Sequence, residues 1–373
     1  MTLAETLAEI VGINSVSENS NREIIKYLSA RAERAGMRVR LLPYADERGV
    51  EKINMIALAG AESFDQPVEL ALVGHTDTVP FDAAWTDALK LTERDGRLYG
   101  RGACDTKAYV AAALTVAEEI ENLRRPLALI FTADEEVGCL GAKQLEETGA
   151  IHARYAIVGE PTSLRPMRAG KGYCLAEVKV SGREGHSAYP ATGASAIFRA
   201  GRLVTRLERI AEKLKEDGRE AFEPPYTTLN VGLIQGGTAK NIIAGECRFT
   251  LEWRPVPGQS AERVLELLSE AVEEEKRVDA DFACEVRPLR LDEGMETRAD
   301  SRLVRFLEET SGNSAGTIAF GTEAPQMIAL GAEAVVFGPG DIRVAHRTGE
   351  FVPVDELQRC AEILRRAVLH FCT

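Results

Sequence analysis

ALIFTADEEVG, residues 128–138, joins an apolar run directly to three consecutive acids. The apolar part, residues 127–132, has the length and composition of a buried strand. Asp134, Glu135 and Glu136 follow it at once, although adjacent like charges repel and unpaired buried charges are costly. We therefore expect either that all three acids lie in water or that other groups at the end of this strand compensate their charge.

The composition of the 373-residue chain is typical of a globular protein, with 45% hydrophobic and 28% charged residues. This length suggests two or three domains. A net charge of −13 without any polybasic run argues against a nucleic-acid partner. No apolar stretch is long enough to span a bilayer, and we expect no membrane partner. Seven scattered cysteines without a CxxC pair are typical of reduced thiols, which predicts a cytoplasmic location.

Strand and helix patterns alternate in the first part of the chain. The N-terminus predicts a helix with a Thr2–Glu5 capping box instead of a signal peptide, and a second box at Ser20 and Glu23 predicts a helix that ends at Gly36. Residues 68–73, 127–132 and 155–158 are predicted strands, with a helix over about 107–121 between the first two. This alternation predicts an α/β domain with a mostly parallel central sheet and helices on both faces.

A different pattern begins near residue 168. Strands are predicted at 173–182, 228–235, 245–254 and 281–286, with helices at 194–214 and 261–275. Their β-α-β-β-α-β order is that of a ferredoxin-like α+β domain. We therefore predict an inserted domain of residues 168–285 within a catalytic domain formed by residues 1–167 and 286–373. The α/β pattern resumes with a helix near Ser301, a strand at 334–337 and a closing helix from Val354.

Two of the five histidines stand near predicted strand ends. His75 lies two residues before Asp77, and a metal-ligating imidazole usually donates its other nitrogen to a carboxylate. The alternative is a strand-end turn in which Asp77 binds nearby backbone amides. His346 follows an apolar run and a Gly-Pro-Gly turn, where an ordinary loop histidine is the alternative.

Carboxylates occupy similar positions elsewhere in the sequence. Asp105 precedes the helix at 107–121, where it could also be a simple N-cap, and Glu160 ends a strand, where a surface turn is the alternative. Ligands at the carboxyl ends of several strands converge on one edge of an α/β sheet. Two histidines and three carboxylates, one of them bridging, are a candidate ligand set for two divalent cations. Imidazole and carboxylate suit zinc, with cobalt or manganese as alternatives, and two cations would remove the repulsion at residues 134–136.

Six segments taken together resemble the di-zinc hydrolase family of acetylornithine deacetylase, succinyl-diaminopimelate desuccinylase and carboxypeptidase. They occur in the family's order across nearly the whole chain. The segments are GHTDTVP (74–80), YGRGACDTK (99–107), TADEEVG (132–138), VGEPTSL (158–164), GREGHSAYP (182–190) and FGPGDIRVAH (337–346).

The resemblance implies a role for each residue of the candidate site. One metal would be held by His75 and Glu160, the other by Glu136 and His346, with Asp105 bridging them. The expected ions are two Zn²⁺, with Co²⁺ as the alternative. Asp77 would orient His75, and the Asp105–Thr106 peptide would be cis. Glu135 would be the general base that takes a proton from the water between the metals and returns it to the leaving amine.

Asp134 receives no catalytic role from the resemblance. We expect it to satisfy backbone amides at the turn. His152 and His370 match no motif and are interpreted as structural.

The inserted domain would be the family's lid and dimerisation module. The resemblance implies a homodimer in which His186 donates a hydrogen bond to the oxyanion in the neighbouring subunit's site; a surface histidine is the alternative. Arg254 would hold the substrate's α-carboxylate, because a guanidinium binds a carboxylate in bidentate fashion; a solvated strand-end charge is the alternative. The expected accessory residues are Asn241, Gly321, Thr322 and Lys171.

Four further segments resemble the acetylornithine deacetylase branch: RAGKG (168–172), PYTTLNVGLIQGG (225–237), EWRPVPG (252–258) and GTEAP (321–325). They imply a small N-acyl amino acid as substrate, with hydrolysis of Nα-acetyl-L-ornithine to L-ornithine and acetate in arginine biosynthesis. Acetylcitrulline deacetylase, succinyl-diaminopimelate desuccinylase and a broader N-acyl-amino-acid hydrolase are alternatives with the same mechanism. A small metallopeptidase acting on dipeptides or tripeptides is an alternative of another class. The intact ligand set and Glu135 argue against a non-enzymatic binding protein.

Overall fold

The computed structural model describes all residues from Met1 to Thr373 and confirms the predicted α/β class. The α-helices are α1 (Leu3–Gly12), α2 (Arg22–Arg34), α3 (Lys107–Glu119), α4 (Leu140–Thr148), α5 (Ala196–Leu214), α6 (Arg263–Val278), α7 (Arg302–Ser311), α8 (Ala324–Ala329) and α9 (Val354–Cys372). None of them combines the length and the apolar character needed to cross a membrane.

The strands are β1 (Arg38–Ala45), β2 (Glu51–Ala59), β3 (Val68–His75), β4 (Thr92–Arg94), β5 (Arg97–Tyr99), β6 (Leu127–Thr132), β7 (Ala153–Val158), β8 (Met167–Gly170), β9 (Tyr173–Ser181), β10 (Gly185–His186), β11 (Thr228–Gly236), β12 (Ile242–Ile243), β13 (Glu246–Arg254), β14 (Ala283–Asp292), β15 (Met295–Glu296), β16 (Gly316–Ile318), β17 (Glu333–Val336) and β18 (Phe351–Pro353). Short 3-10 helices lie at Pro190–Thr192 and Ile342–Val344.

The chain divides into two compact units. Unit 1 comprises Met1–Arg168, Thr297–Gly316 and Thr322–Thr373, and unit 2 comprises Ala169–Glu296 and Thr317–Gly321. Unit 2 extends past the predicted boundary at residue 285 because β14 continues to Asp292. A proline usually ends a strand, but Pro288 lies beside a register shift on β14, an edge strand, where the missing N–H is tolerated.

The sheet of unit 1 is mixed, with strand order β1-β2-β6-β3-β7-β17. The predicted parallel arrangement holds for β6, β3, β7 and β17, whereas β1 and β2 form an antiparallel hairpin that the sequence patterns did not predict. His75 pairs with Thr132, and Val73 pairs with Val158. Consequently β3, β6 and β7 end at the same edge of the sheet, where the residues that follow them meet.

Helix α3 forms the centre of the core in unit 1. Its residues 107–117 are all buried, and five of the first seven helical positions after Lys107 are alanine or valine, which permit close packing. The helix contacts α1, α2, α9 and strands β3 and β6. Because α3 is enclosed in this way, the residues immediately before it, including Asp105, are placed firmly at the sheet edge.

The two predicted capping boxes have different outcomes. The Thr2–Glu5 box is confirmed, with both reciprocal hydrogen bonds present at the start of α1. The Ser20–Glu23 box is wrong, because α2 begins at Arg22 with Asn21 as its N-cap residue. The Asn21 amide binds the backbone of Ile53 instead, so tertiary contacts outweigh local capping at this position.

Unit 2 contains a four-stranded antiparallel sheet with strand order β14-β9-β13-β11. Along the chain the elements follow β9-α5-β11-β13-α6-β14, the ferredoxin-like order. The alternating residues of β9, from Cys174 to Val180, are buried on one face, where they pack with α5 and α6 in a hydrophobic core of their own.

Candidate active site

The five predicted metal ligands lie together in unit 1. Their positions follow from the ends of β3, β6 and β7, the start of α3 and the segment after the 3-10 helix at Ile342–Val344. The ligand atoms of His75, Asp105 and Glu136 lie within 4.8 Å of one another, as do those of His75, Glu135 and Glu160. His346 completes the cluster, since its Nε2 lies 3.0 Å from Glu136 Oε2.

Asp105 lies between the two histidines. Its Oδ1 is 3.1 Å from His75 Nε2, and its Oδ2 is 3.2 Å from His346 Nε2. Burial opposes the charge on this carboxylate, but the hydrogen bonds from His346 and His75 lower its pKa. A carboxylate that bridges two cations uses one oxygen for each, and Asp105 presents one oxygen toward each imidazole. The peptide between Asp105 and Thr106 is cis, as predicted.

The His75 ring is oriented by a hydrogen bond to the backbone of Asp77. Its Nδ1 lies 2.9 Å from the backbone carbonyl oxygen of Asp77, whereas the nearest carboxylate oxygen of Asp77 is 3.6 Å away. The hydrogen bond from Nδ1–H to the carbonyl fixes the ring and turns Nε2 toward the cluster.

The carboxylate of Asp77 binds the backbone amides after β6. Oδ1 accepts from Glu135 N at 3.1 Å, and Oδ2 accepts from Glu136 N at 3.3 Å and from Ser17 Oγ at 2.7 Å. The amide-binding alternative therefore describes these contacts. The Asp77 carboxylate also lies within ion-pair distance of His75 Nδ1, at 3.6 Å, so its predicted role in orienting His75 stays a prediction. Asp77 holds the segment that carries the candidate base and one candidate ligand.

Glu135 is enclosed beside the cluster without taking part in an ion pair. Burial, together with the charges of Glu136 and Asp105, raises its pKa to about 8, although His75 opposes the shift. The thiol of Cys139 lies 3.4 Å from Glu135 Oε1 and donates to it. A carboxyl group whose pKa lies near neutrality has the proton affinity needed to accept and return a proton.

Asp134 does not satisfy backbone amides, and this expectation is corrected. Its Oδ1 lies 2.6 Å from Lys52 Nζ, and its Oδ2 accepts a hydrogen bond of 3.0 Å from Tyr44. Lys52 and Tyr44 belong to the hairpin β1–β2, which was not predicted. The signal that could have identified this pair is a single lysine within the otherwise uncharged run KINMIALA of β2.

The charges of this cluster favour the binding of metal ions. Burial and the charge of Asp105 raise the pKa values of Glu136 and Glu160, so this pocket holds more negative charge than it can stabilise alone. Hydrogen bonds to Asp105 and Glu136 raise the pKa of His346 to about 10, because the two carboxylates attract a positive charge at the position that a cation could occupy between imidazole and carboxylate. Imidazole and carboxylate donors at this spacing suit divalent transition metals.

His186 and Asn241 are neighbours in unit 2. His186 is exposed in the short strand β10, which pairs with β12, and the Asn241 carbonyl accepts a 3.1 Å hydrogen bond from Ser187 N. His186 Nδ1 accepts a 3.1 Å hydrogen bond from Ala188 N. A neutral His186 ring therefore carries its proton on Nε2, which leaves Nε2–H as a hydrogen-bond donor.

Arg254 and Lys171 also lie in unit 2 but differ in availability. Arg254 ends β13, where its Nε binds Glu252 at 2.7 Å and its guanidinium stacks on the Tyr173 ring, with 30% of the side chain exposed. The Lys171 ammonium is buried and donates to the carbonyls of Pro224 and Tyr226, each at 2.7 Å. Lys171 thus has a structural position, and its contact with a substrate stays a prediction.

The remaining residues named in the sequence analysis are Gly321, Thr322, His152 and His370. Gly321 belongs to unit 2, whereas Thr322 belongs to unit 1 and is buried, with its Oγ1 accepting from Ala324 N. His152 binds the Leu330 carbonyl through Nδ1, and His370 stacks on Phe306. These contacts agree with the structural interpretation of both histidines.

A cluster of imidazoles and carboxylates at the carboxyl edge of parallel strands is typical of a metallohydrolase. Residues 71–370 match peptidase family M20/M25/M40, and the chain belongs to this family. A curated acetylornithine deacetylase from Myxococcus xanthus is 58% identical over 371 residues, which cover 99% of this chain and 97% of the relative. The acetylornithine deacetylase of Proteus mirabilis (strain HI4320) is 34% identical, covering 100% of this chain and 97% of the relative.

Solved structures share the fold at low sequence identity. A tripeptidase from Staphylococcus aureus superposes with a TM-score of 0.78 at 23% identity, covering 97% of this chain and 96% of that structure. A metallo-carboxypeptidase of the M20 family from Sulfolobus solfataricus gives a TM-score of 0.76 at 18% identity, with 98% of each chain covered. These similarities establish the architecture.

Proposed function

We propose that this enzyme hydrolyses the acetyl amide of Nα-acetyl-L-ornithine to L-ornithine and acetate, a reaction of arginine biosynthesis. The 58% identity to an acetylornithine deacetylase over 99% of the chain supports this substrate. The observation that carries the reaction type is the placement of Glu135 beside the cluster of His75, Asp105 and Glu160, with its backbone amide held by Asp77.

The proposed cofactors are two divalent ions, Zn²⁺ or alternatively Co²⁺. His75 and Glu160 would hold one ion, Glu136 and His346 the other, and Asp105 both. When bound, such ions lower the pKa of water and polarise the carbonyl of the scissile amide.

The proton transfers are proposed for Glu135. Its carboxylate takes a proton from the attacking water and later gives a proton to the nitrogen of the leaving amine. The hydrogen bonds from Glu135 N and Glu136 N to Asp77 support this role, because they fix the backbone from which both side chains extend.

Substrate binding and oxyanion stabilisation are proposed for residues of unit 2 and for Thr322 of unit 1. Arg254 would bind the substrate's α-carboxylate, with Asn241, Gly321 and Thr322 as accessory residues. His186 would donate from Nε2–H to the oxyanion in the neighbouring subunit's site. The hydrogen bond from Ala188 N to His186 Nδ1 supports that tautomer.

The homodimer would form through unit 2. Strand β11 is an edge of its sheet, and large apolar side chains are exposed on and near it. Their exposed fractions are 75% for Phe198, 71% for Leu233, 57% for Ile234, 44% for Ile197 and 41% for Ile242. An edge strand flanked by such a surface favours pairing with a second copy.

A complementation experiment tests the dimer and His186 together. His186→Ala and Glu135→Gln are each expected to be inactive alone. In co-expressed mixed dimers, one site would regain both residues, so about a quarter of native activity should return. A mixture without recovered activity would contradict the action of His186 across the dimer. The variant Phe198→Glu should be a monomer in sedimentation experiments and should be inactive in the assay.

We also propose a cytoplasmic location, which the seven free cysteines support because reduced thiols persist in that compartment.

The substrate is tested by a kinetic panel. The enzyme, loaded with zinc or with cobalt, is assayed on Nα-acetyl derivatives of ornithine, citrulline, glutamate and methionine, on succinyl-diaminopimelate, and on dipeptides and tripeptides. The highest kcat/KM is expected for acetylornithine. Equal or faster turnover of a peptide would refute the deacetylase proposal, and preference for another acylated substrate would reassign it within the same mechanism.

A further inference from the structure

Glu350 binds the segment that ends at Asp105. Its side chain is 1% exposed, and both carboxylate oxygens accept two hydrogen bonds each. Oε1 accepts from Cys104 N at 2.9 Å and from Asp105 N at 3.0 Å. Oε2 accepts from Gly102 N at 3.1 Å and from Arg101 Nη1 at 2.6 Å. One carboxylate thus satisfies three backbone amides and one guanidinium within five consecutive residues.

The position of Glu350 is itself fixed by the backbone. Its carbonyl accepts from Gly100 N at 3.1 Å, and β18, which begins at the next residue, pairs with β5. These contacts place Glu350 beside the start of segment 101–105. The segment is closely packed at Gly102, where a Cβ would lie 2.7 Å from Thr78 Cγ2. The three amides are buried and would otherwise lack a partner, which costs free energy.

His346 lies four residues before Glu350. Half of its side chain is exposed, so burial alone does not fix the position of the imidazole. Its φ of +59° is uncommon for a residue other than glycine. Its Nε2 nevertheless lies 3.2 Å from Asp105 Oδ2. Glu350 is the side chain that ties the segment after His346 to the segment before Asp105, although Glu350 and Asp105 are 245 residues apart in sequence.

We propose that Glu350 is a positioning residue that sets the separation of Asp105 and His346, and thereby the affinity of the metal site that they share. This inference rests on the proposed metal site, but not on the identity of the substrate. An amide cannot replace the carboxylate. Each carboxylate oxygen of Glu350 accepts two hydrogen bonds, and the NH₂ group of a glutamine at that place would point a donor at two other donors. The isosteric variant Glu350→Gln is therefore expected to displace segment 101–105 without changing the volume of the side chain.

The test compares Glu350→Gln with Glu118→Gln. Glu118 forms a largely buried ion pair with Arg31 between α3 and α2, so its loss also removes a charged pair from unit 1. Cobalt affinity is measured by chelator competition, the cobalt environment by visible absorption, and the stability of the metal-free protein by thermal unfolding. Glu350→Gln should bind the more weakly held cobalt ion 10- to 100-fold less tightly, with a changed spectrum and a lowered kcat at similar KM. Glu118→Gln should lower the melting temperature while its cobalt affinity and spectrum stay native.

A native cobalt affinity and spectrum in folded Glu350→Gln would overturn the proposal. Glu350 would then contribute only to the stability of the fold. Glu350→Asp provides a second variant, because it keeps the charge that faces Arg101 while its shorter side chain cannot reach all three amides. Its cobalt affinity should lie between those of Glu350→Gln and the native protein, and a native value there would also contradict the proposal. Failure of the native, cobalt-loaded enzyme to hydrolyse acetylornithine would refute the proposed function, whereas the cobalt comparison would still decide the role of Glu350.

Discussion

Lys52 Nζ lies 2.6 Å from Asp134 Oδ1, and both side chains are 1% exposed. The ammonium also donates to the carbonyl of Ser17 at 2.6 Å. Asp134 directly precedes Glu135 and has a φ of +57°, in the left-handed region. The ion pair therefore stabilises the turn from which the candidate base extends, and one of the three acids after β6 is compensated by a lysine instead of a metal ion.

Asp134→Asn should be strongly destabilising, because it leaves the Lys52 ammonium buried without its counter-charge. Asparagine tolerates the left-handed conformation, so the substitution should add no backbone strain. The expected loss in the free energy of unfolding is about 3–5 kcal/mol, measured by urea denaturation of the metal-free protein. The double variant Lys52→Met/Asp134→Asn should lose less than the sum of the single variants. Additive losses would show that the two side chains are not energetically coupled.

Glu135→Gln should nearly abolish turnover while the protein still binds its metal ions. A general base contributes about 10²- to 10⁴-fold to the rate, so kcat should fall by at least the lower of these factors. Metal analysis and kinetics on the same preparation check this result. Near-native kcat with a full metal complement would refute the role assigned to Glu135.

His346→Ala should weaken one metal site and leave the other. Because half of the His346 side chain is exposed, the fold should lose little stability. Metal analysis after dialysis is expected to find one tightly held ion in place of two. His152→Ala is the matched control, since that ring binds only the Leu330 carbonyl, and it should retain both ions. Two tightly held ions in His346→Ala would contradict the ligand assignment.

Glu323 should make stability depend on pH. Its side chain is 1% exposed, its Oε1 has no hydrogen-bond partner, and burial raises its pKa to about 7 from an ordinary value of 4.5. The folded state therefore favours the protonated form, so this contribution is complete below pH 4.5 and is lost as the pH rises through about 7.

Glu323→Gln is neutral at every pH and should remove that dependence. In the metal-free protein it is expected to match the native stability near pH 4 and to exceed it by up to about 3 kcal/mol at pH 8. Urea denaturation at about pH 4, 6.5 and 8 provides the measurement. A stability difference that stays constant across these pH values would show that Glu323 does not titrate there.

Local sequence was sufficient for the central strands, for the helix that follows Asp105 and for the prediction that His75, Asp105 and Glu160 belong to one sheet edge. Buried strands of a parallel sheet are continuous apolar runs, and the polar residues directly after them must leave the sheet on the same side. The hairpin β1–β2 escaped prediction because β1 is half-exposed and its charged residues mask the strand pattern. Pro288 similarly concealed the second half of β14.

The sequence by itself thus determined the alternation of the central strands and helices and the residues that could bind metal ions, because periodicity and strand-end chemistry are properties of neighbouring residues. Only the tertiary structure decided which groups hold those residues in place. Lys52 and Asp134 are 82 residues apart, and Glu350 and Asp105 are 245 apart. Such pairs depend on strand pairing and on the packing of distant segments, and no local pattern specifies them. The three acids of TADEEVG therefore differ in their surroundings because of groups that fold in from elsewhere in the chain.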